Sequence, residues 1–181
     1  LYLFAGPERK GGFSDRLSDL AQARGVSASV LEIDILRDAV RHDLSCDGLW
    51  ESIFDGLRRK SWQAVLLSPP CETFSRGRSN YGGPPPLRSR QFPRGLPWLR
   101  KIFKQKVDTA NYFIDQCVTV MKLCLEFDTR FALEHPEDLG LHKTGQDPAS
   151  IFQLPEIQEI MKTPGIFTGA LFQCALGADH A

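Results

Sequence analysis

Residues 63–75 read QAVLLSPPCETFS, and this stretch joins the two features that decide the fold. The continuous apolar run at 63–68 predicts a strand covered on both faces, as in a parallel sheet. Two prolines then fix the direction of the chain, and a cysteine follows them directly. A structural cysteine usually lies buried inside an element. The position of Cys71 therefore indicates a thiol presented at the end of a buried strand.

Strand and helix patterns alternate on both sides of this stretch. Apolar periodicity predicts strands at 1–5, 27–34, 63–68, 130–135 and 167–176, helices at 13–24, 47–60 and 155–163, and a helix of about five turns from Val107. This alternation predicts an α/β fold, a doubly wound and mostly parallel sheet with right-handed crossovers. With 181 residues and no internal repeat, a single domain is expected over 1–181.

Composition bounds the function classes. The 22 basic and 22 acidic residues cancel, so bulk charge favours no partner. No apolar run approaches the roughly 20 residues that span a bilayer, and the five cysteines include no CxxC pair. We expect an intracellular protein, cytoplasmic or nuclear, that is monomeric and not bound to a membrane. With no HExxH or CxxC spacing, we expect no metal site.

The segment 69–106 is rich in proline and glycine and predicts a long irregular loop. Nine basic residues and no acid lie between Glu72 and Asp108, interleaved with aromatic residues. Arginines that reach phosphates and aromatic rings that stack on bases are typical of nucleic-acid binding. The candidates are Arg76, Arg78, Arg88, Arg90 and Arg94. A merely solvated basic loop is the alternative.

The loops that follow the predicted strands carry the remaining candidates, because ligands of parallel sheets bind outside the carboxyl ends of the strands. The loop 6–12 is rich in glycine but matches neither GxxxxGK[ST] nor GxGxxG. Glu32 and Asp34 end the second strand, where an acid can accept ribose hydroxyls or simply be solvated. Asp43 can accept an adenine amino group or cap a helix. Glu134 can face Cys71 or form an edge salt bridge.

A cysteine nucleophile reacts as the thiolate, which needs a cationic or donor-rich setting that lowers its pKa. Arg76 and Arg78 lie a few residues after Cys71 and are the candidate cations. Cys117 and Cys124 lie seven positions apart on the apolar stripe of one predicted helix, which favours core packing for both.

Read together and in order, the loops resemble those of the DNA (cytosine-5) methyltransferases over residues 1 to about 140. FAGPERKGGFS (4–14) is similar to that family's FxGxGGFS cofactor loop, and EID (32–34) and HDL (42–44) to its ribose and adenine acids. SPPCETFS (68–75) resembles its PCQ nucleophile loop, and FALEHPEDL (131–139) its ENV loop. The stretch from GPPPLR to GLPWL also resembles divergent, transposon-associated relatives.

This resemblance implies a Rossmann-like, S-adenosylmethionine-dependent fold that methylates C5 of a flipped cytosine in DNA. It assigns Cys71 as the nucleophile and Glu134 as the acid at N3, and it places Phe4 and Gly6 beside the cofactor, Glu32 or Asp34 on the ribose and Asp43 on the adenine amine. The implied cofactor site comprises Phe4, Ala5, Gly6, Gly11, Gly12, Glu32, Asp34, Asp43, Leu44 and Pro69.

The chain departs from the family pattern at three points. Its cofactor loop is three residues longer, Glu72 replaces the glutamine after the cysteine, and His135 replaces the asparagine after the glutamate. After residue 140 it also has no QxR motif or target-recognition segment, which predicts a truncated catalytic domain. Two alternatives therefore stay open: a decayed methyltransferase fold that binds nucleic acid or a partner without turnover, and a methyltransferase of RNA or of another base.

Overall fold

A computed structural model describes residues 1–170. The chain is an α/β protein with a sheet of four parallel strands in the order β2-β1-β3-β4. The strands are β1 (Tyr2–Leu3), β2 (Glu32–Ile33), β3 (Ala64–Leu67) and β4 (Arg130–Leu133). The predicted α/β class and parallel pairing are confirmed, although every strand is shorter than its apolar pattern.

Four helices connect or follow the strands: α1 (Phe13–Ala23), α2 (Asp47–Arg58), α3 (Lys101–Glu126) and α4 (Pro155–Met161). The start predicted for the third helix, at Val107, is wrong, because α3 begins at Lys101. The first turns of α3 carry three lysines and an exposed Ile102, so the apolar stripe becomes visible only from the buried Val107 onward.

The core forms where α2 and α3 pack on the sheet and on each other. Its fully buried side chains include Leu3 and Leu67 from the central strands, Trp50 from α2, and Ile114 and Met121 from α3. Helix α1 contributes only Ala21 to the buried residues, and its Phe13 ring contacts Tyr2 at a centroid distance of 5.3 Å. Because neighbouring strand residues face opposite sides, Tyr2 and Leu3 of β1 mark the two faces of the sheet.

The order of the strands creates a crevice between β1 and β3. From β1 the chain crosses to β2 on one side, whereas β3 and β4 lie on the other side of β1. The loops after β1 and β3 therefore turn in opposite directions, and this is where open α/β sheets bind ligands.

The fifth predicted strand, at 167–176, is not seen where the structure describes it. Residues 167–170 have no strand structure, and the rest of that prediction lies outside the described residues. No helix in residues 1–170 is long and apolar enough to cross a membrane.

Leu67 offers a test of the core. Its side chain is 0% exposed in β3, between β1 and β4. We expect Leu67→Ala to lower the free energy of unfolding by about 3 kcal/mol, because the cavity left behind cannot collapse fully. Leu139→Ala, at an exposed position, should change it by less than about 0.5 kcal/mol. Urea denaturation followed by circular dichroism measures both, and equal effects would contradict this packing.

Candidate functional site

A cavity of about 360 Å³ opens at the carboxyl ends of the strands, beside the crevice between β1 and β3. Its walls come from the loops after β1, β2 and β3 and from α3. The lining residues are Phe4, Asp34, Ile35, Leu36, His42, Asp43, Leu44, Ser68, Pro70 and Phe113. Four of them, Phe4, Asp34, Asp43 and Leu44, belong to the cofactor site implied by the sequence.

Phe4 closes one side of this cavity at the cost of an unusual backbone conformation. Its φ is +61°, in the left-handed region that non-glycine residues rarely adopt. The turn brings its ring against those of Phe113 and Trp50, at centroid distances of 5.3 and 6.2 Å. Strain of this kind clusters at ligand sites, where the surrounding packing maintains it.

Two carboxylates in the cavity keep acceptor capacity. Asp34 accepts the Gly6 N–H through Oδ2 and the Leu36 N–H through Oδ1, both at 2.9 Å. Each carboxylate oxygen accepts about two hydrogen bonds, so one lone pair stays free on each. Asp43 uses only Oδ1, which accepts the hydroxyl and the N–H of Ser45. These bonds hold the pKa of Asp43 below its usual value, so its Oδ2 is an anionic acceptor.

Glu32 is held away from the cavity. Its Oε2 accepts a hydrogen bond from the Ser14 hydroxyl at 3.0 Å, and it forms an ion pair with Nη1 of Arg37 at 2.9 Å. Glu32 is not among the lining residues. Of the two acids between which the sequence did not decide, Asp34 is the one that faces the cavity.

The other glycine-loop residues of the implied cofactor site do not line the cavity themselves. Ala5, Gly6, Gly11 and Gly12 form the ends of the loop between β1 and α1 and do not line the cavity. Gly12 has no room for a side chain, because a Cβ there would lie 2.9 Å from the carbonyl oxygen of Arg9.

The expectation for Pro69 also needs correction. Pro69 is buried, and its neighbour Pro70 is the proline that lines the cavity. Sequence reasoning missed Pro70 together with the lining residues Ile35, Leu36, His42, Ser68 and Phe113. Ile35 and Leu36, two large apolar residues directly after a strand, were a usable signal. No sequence signal identified Phe113 as a lining residue, because its position at the cavity depends on how α3 packs.

Cys71 and Glu134 follow neighbouring parallel strands. The N–H of Glu134 donates to the Leu67 carbonyl at 2.8 Å, which extends the β3–β4 pairing by one residue. Cys71 lies four residues beyond Leu67 and is exposed. Partial burial of the thiol, together with the nearby Glu134 carboxylate, raises the pKa of Cys71. The expected lowering of this pKa by Arg76 and Arg78 is therefore wrong, although the predicted nearness of Cys71 to Glu134 agrees with the structure.

A buried guanidinium holds the segment that follows Cys71. Arg88 is 3% exposed, and it donates to the Thr73 hydroxyl, the Asn111 side chain and the carbonyls of Pro93 and Val107 at 2.7–3.2 Å. Its guanidinium carbon also lies 3.9 Å from the centre of the Phe74 ring. Burial lowers the pKa of Arg88 to about 9, so it stays charged at neutral pH. Arg88 thus joins the segment after Cys71 to α3.

The other four candidate arginines also contact this chain. Arg76 donates to the carbonyls of Gly140 and Leu141, and Arg78 donates to the Glu72 carboxylate at 2.8 Å. The remaining two form ion pairs, Arg90 with Asp138 and Asp147, and Arg94 with Asp115 and Glu156. The assignment of Arg88 to nucleic acid is wrong because its guanidinium is inaccessible. A phosphate would have to compete with an existing partner at the other four.

His135 fills the space behind this segment. It is buried, its ring contacts that of Phe74 at a centroid distance of 5.2 Å, and neither ring nitrogen has a hydrogen-bond partner within the described chain. Burial lowers the pKa of His135 to about 4, so the ring is neutral at physiological pH. His135 therefore supports the loop after β4 by packing.

Within residues 1–170, no group of three or more His, Cys, Asp or Glu side chains is arranged to hold a metal ion. Comparison with protein-family models, with curated proteins and with solved structures finds no match to this chain.

Arg88 tests whether the arginines are structural. We expect Arg88→Lys to lower the free energy of unfolding by about 2–4 kcal/mol, because one ammonium cannot reach four acceptors and leaves buried groups unpaired. Arg90→Lys, at a largely exposed ion pair, should cost less than about 1 kcal/mol. Chemical denaturation distinguishes the two. A stable Arg88→Lys protein would show that Arg88 does not hold the segment.

Cys71 and Glu134 give a prediction on pH. Because the Glu134 charge contributes to the raised pKa of Cys71, Glu134→Gln should lower that pKa and speed alkylation of Cys71 by iodoacetamide at pH 8. Peptide mass spectrometry separates Cys71 from Cys46, the other exposed cysteine in the described chain. Glu137→Gln removes the same charge three residues later and should leave the rate unchanged. An unchanged rate in Glu134→Gln would contradict the predicted coupling.

Proposed function

We propose that the chain is the catalytic domain of an S-adenosylmethionine-dependent DNA cytosine-C5 methyltransferase with a Rossmann-like methyltransferase fold. One observation carries the proposal: an exposed cysteine and a glutamate follow adjacent parallel strands, beside a cavity of about 360 Å³ lined by two acids. A soft nucleophile, a proton donor and a nucleoside-sized pocket are the groups this chemistry needs.

The cavity suits the nucleoside half of S-adenosylmethionine. Its volume lies within the roughly 300–1,000 Å³ typical of small-molecule sites. Oδ2 of Asp43 can accept the adenine amine, and the free lone pairs of Asp34 can accept the ribose hydroxyls. Ile35, Leu36 and Phe113 provide apolar surface for the faces of the base.

Bound in this way, the cofactor would supply an electrophilic methyl group on its sulfonium. C5 of cytosine is a poor nucleophile, and addition of Cys71 to the ring makes C5 more nucleophilic. Its thiolate adds to C6, so an Sγ–C6 bond forms and the C5–C6 π electrons move to C5. Glu134, protonated, donates to N3 and stabilises the negative charge that develops in the ring. After C5 has taken the methyl group, which leaves S-adenosylhomocysteine, solvent water takes the C5 proton, the C5–C6 double bond re-forms, and the Sγ–C6 bond breaks to release Cys71 as the thiolate.

Because the pKa of Cys71 is raised, the proposed reaction requires the thiol to lose its proton when the substrate binds. In the free protein the thiol is protonated and Glu134 carries a negative charge that opposes its ionisation. Transfer of the thiol proton to Glu134 creates the thiolate and the acid together, and it removes that opposing charge. Binding of a cytosine that needs a donor at N3 favours this exchange, so the nucleophile is activated when substrate is present.

Exposed side chains in the segment that follows Cys71 favour a nucleic acid as substrate. Tyr81 and Trp98 are exposed aromatic residues in the loop between β3 and α3, and Arg100 and Lys101 are exposed at the start of α3. Such rings can stack on bases while the cations contact phosphates. A cytosine in a duplex must be flipped out to reach Cys71, and an already single-stranded base costs less to bind.

Two specific observations favour a second candidate, a fold that binds nucleic acid without turnover. Burial raises the pKa of the Cys71 thiol, and neither nearby arginine is free to offset this, because Arg76 donates to backbone carbonyls and Arg78 pairs with the Glu72 carboxylate. The two functions differ in whether a covalent bond to the base forms. An RNA substrate would use the same groups, so DNA and RNA are tested together.

The deciding experiment traps the adduct. With S-adenosylmethionine, DNA that contains 5-fluorocytosine should form a stable covalent complex, because fluorine at C5 prevents the proton loss that releases Cys71. Cys71→Ser and Glu134→Gln should abolish or strongly reduce the adduct, whereas Cys46→Ser should keep it. Denaturing electrophoresis and peptide mass spectrometry detect the complex. An adduct only with 5-fluorocytosine RNA would change the substrate, and nucleic-acid binding without any adduct would support the non-catalytic function.

A further inference from the structure

We propose that Arg37 is a positioning residue that makes Asp34, and not Glu32, the acid that receives the cofactor's ribose. This inference rests on the proposed function, since it concerns the same cofactor cavity. Arg37 lies in the turn after β2, between the candidate acids Asp34 and Asp43, and is not itself among the residues predicted from the sequence.

The side chain of Arg37 joins two strand ends. Its Nη1 lies 2.9 Å from Oε2 of Glu32, and its Nε donates to the carbonyl of Gly6 at 2.8 Å. The side chains of Arg37 and Glu32 are only 18% and 9% exposed, so water screens the pair weakly. Arg37 therefore ties the end of β2 to the cofactor loop after β1.

These bonds form a closed ring that includes Asp34. The N–H of Gly6 donates to Oδ2 of Asp34, the carbonyl of Gly6 accepts from Arg37, and the N–H of Arg37 donates to the carbonyl of Asp34 at 2.9 Å. Gly6 adopts a left-handed φ of +71°, so its peptide groups can point to both partners. Fixing Gly6 in this way fixes the carboxylate of Asp34.

The same contacts withdraw Glu32 from ligand binding. Oε2 of Glu32 accepts from both Ser14 and Arg37, and the side chain is almost fully shielded. Glu32 and Asp34 are separated by one residue, so without Arg37 the Glu32 carboxylate would lie near that of Asp34 with no cation paired to it. Arg37 thus neutralises one acid and leaves the other free to accept hydroxyls.

The test compares two ligands. The chain is titrated calorimetrically with S-adenosylhomocysteine and with its 2′-deoxyribose analogue. Wild type should bind the ribose form about tenfold more tightly, as expected for a hydrogen bond to a charged group. Arg37→Ala should lower the affinity for S-adenosylhomocysteine by about the same factor. It should also reduce the preference for the ribose form to less than about threefold. A purely structural defect would lower the affinity for both ligands by the same factor.

Three further variants define the mechanism. Arg41→Ala removes an arginine four residues away whose side chain is 84% exposed, and it should behave as wild type. Arg37→Lys can reach Glu32 or Gly6 but not both, so its preference should be intermediate. The double variant Glu32→Gln, Arg37→Ala removes the unpaired charge and should recover thermal stability. It should not recover the preference for ribose, because the Gly6 carbonyl still lacks the hydrogen bond from Arg37.

The outcomes separate the two proposals. If wild type binds neither ligand, both the proposed cofactor and the role of Arg37 are overturned. If wild type binds with a ribose preference that Arg37→Ala retains, only the role of Arg37 fails. Full recovery of the preference in the double variant would show that Arg37 acts only by neutralising Glu32, which also overturns its positioning role.

Discussion

The buried guanidinium of Arg88 is the interaction on which the site depends. Two prolines direct the chain out of β3 and short local turns follow, but these turns alone do not fix the segment against α3. Arg88 does so by donating to Thr73 and stacking on Phe74 on one side, and by bonding to Asn111 and to the Val107 carbonyl of α3 on the other. A planar group with five donors can satisfy these dispersed acceptors at once, which a lysine cannot do.

This role changes how the basic segment is understood. Its arginines suggest nucleic-acid binding when only composition is considered, yet Arg76 and Arg78 bind backbone carbonyls and a neighbouring carboxylate. Beside the backbone hydrogen bonds of its short turns, the segment needs side-chain donors for carbonyls such as those of Glu72, Pro85 and Pro93. Arginine supplies them, and surfaces for an external anion remain at the exposed start of α3.

The two halves of the site are built by different constraints. The half proposed to bind the cofactor depends on local turns: the left-handed Phe4 and Gly6, and the carboxylates of Asp34 and Asp43 with their nearby N–H donors. The half proposed to be reactive depends on strand adjacency, since Cys71 and Glu134 are 63 positions apart and lie near each other only because β3 pairs with β4. Electrostatics couples that pair, because the charge of Glu134 opposes the ionisation of the Cys71 thiol.

The sequence alone determined the α/β class, the order of strands and helices, and the residues that follow each strand, because these depend on local periodicity and turn chemistry. Leu67 and the two prolines after it already located a buried strand and its end. Only the tertiary structure decided which acid faces the cavity, which proline lines it, and that the arginines are structural. Those outcomes depend on contacts between residues distant in sequence, such as Arg88 with Asn111 and Arg37 with Gly6, and periodicity carries no information about them.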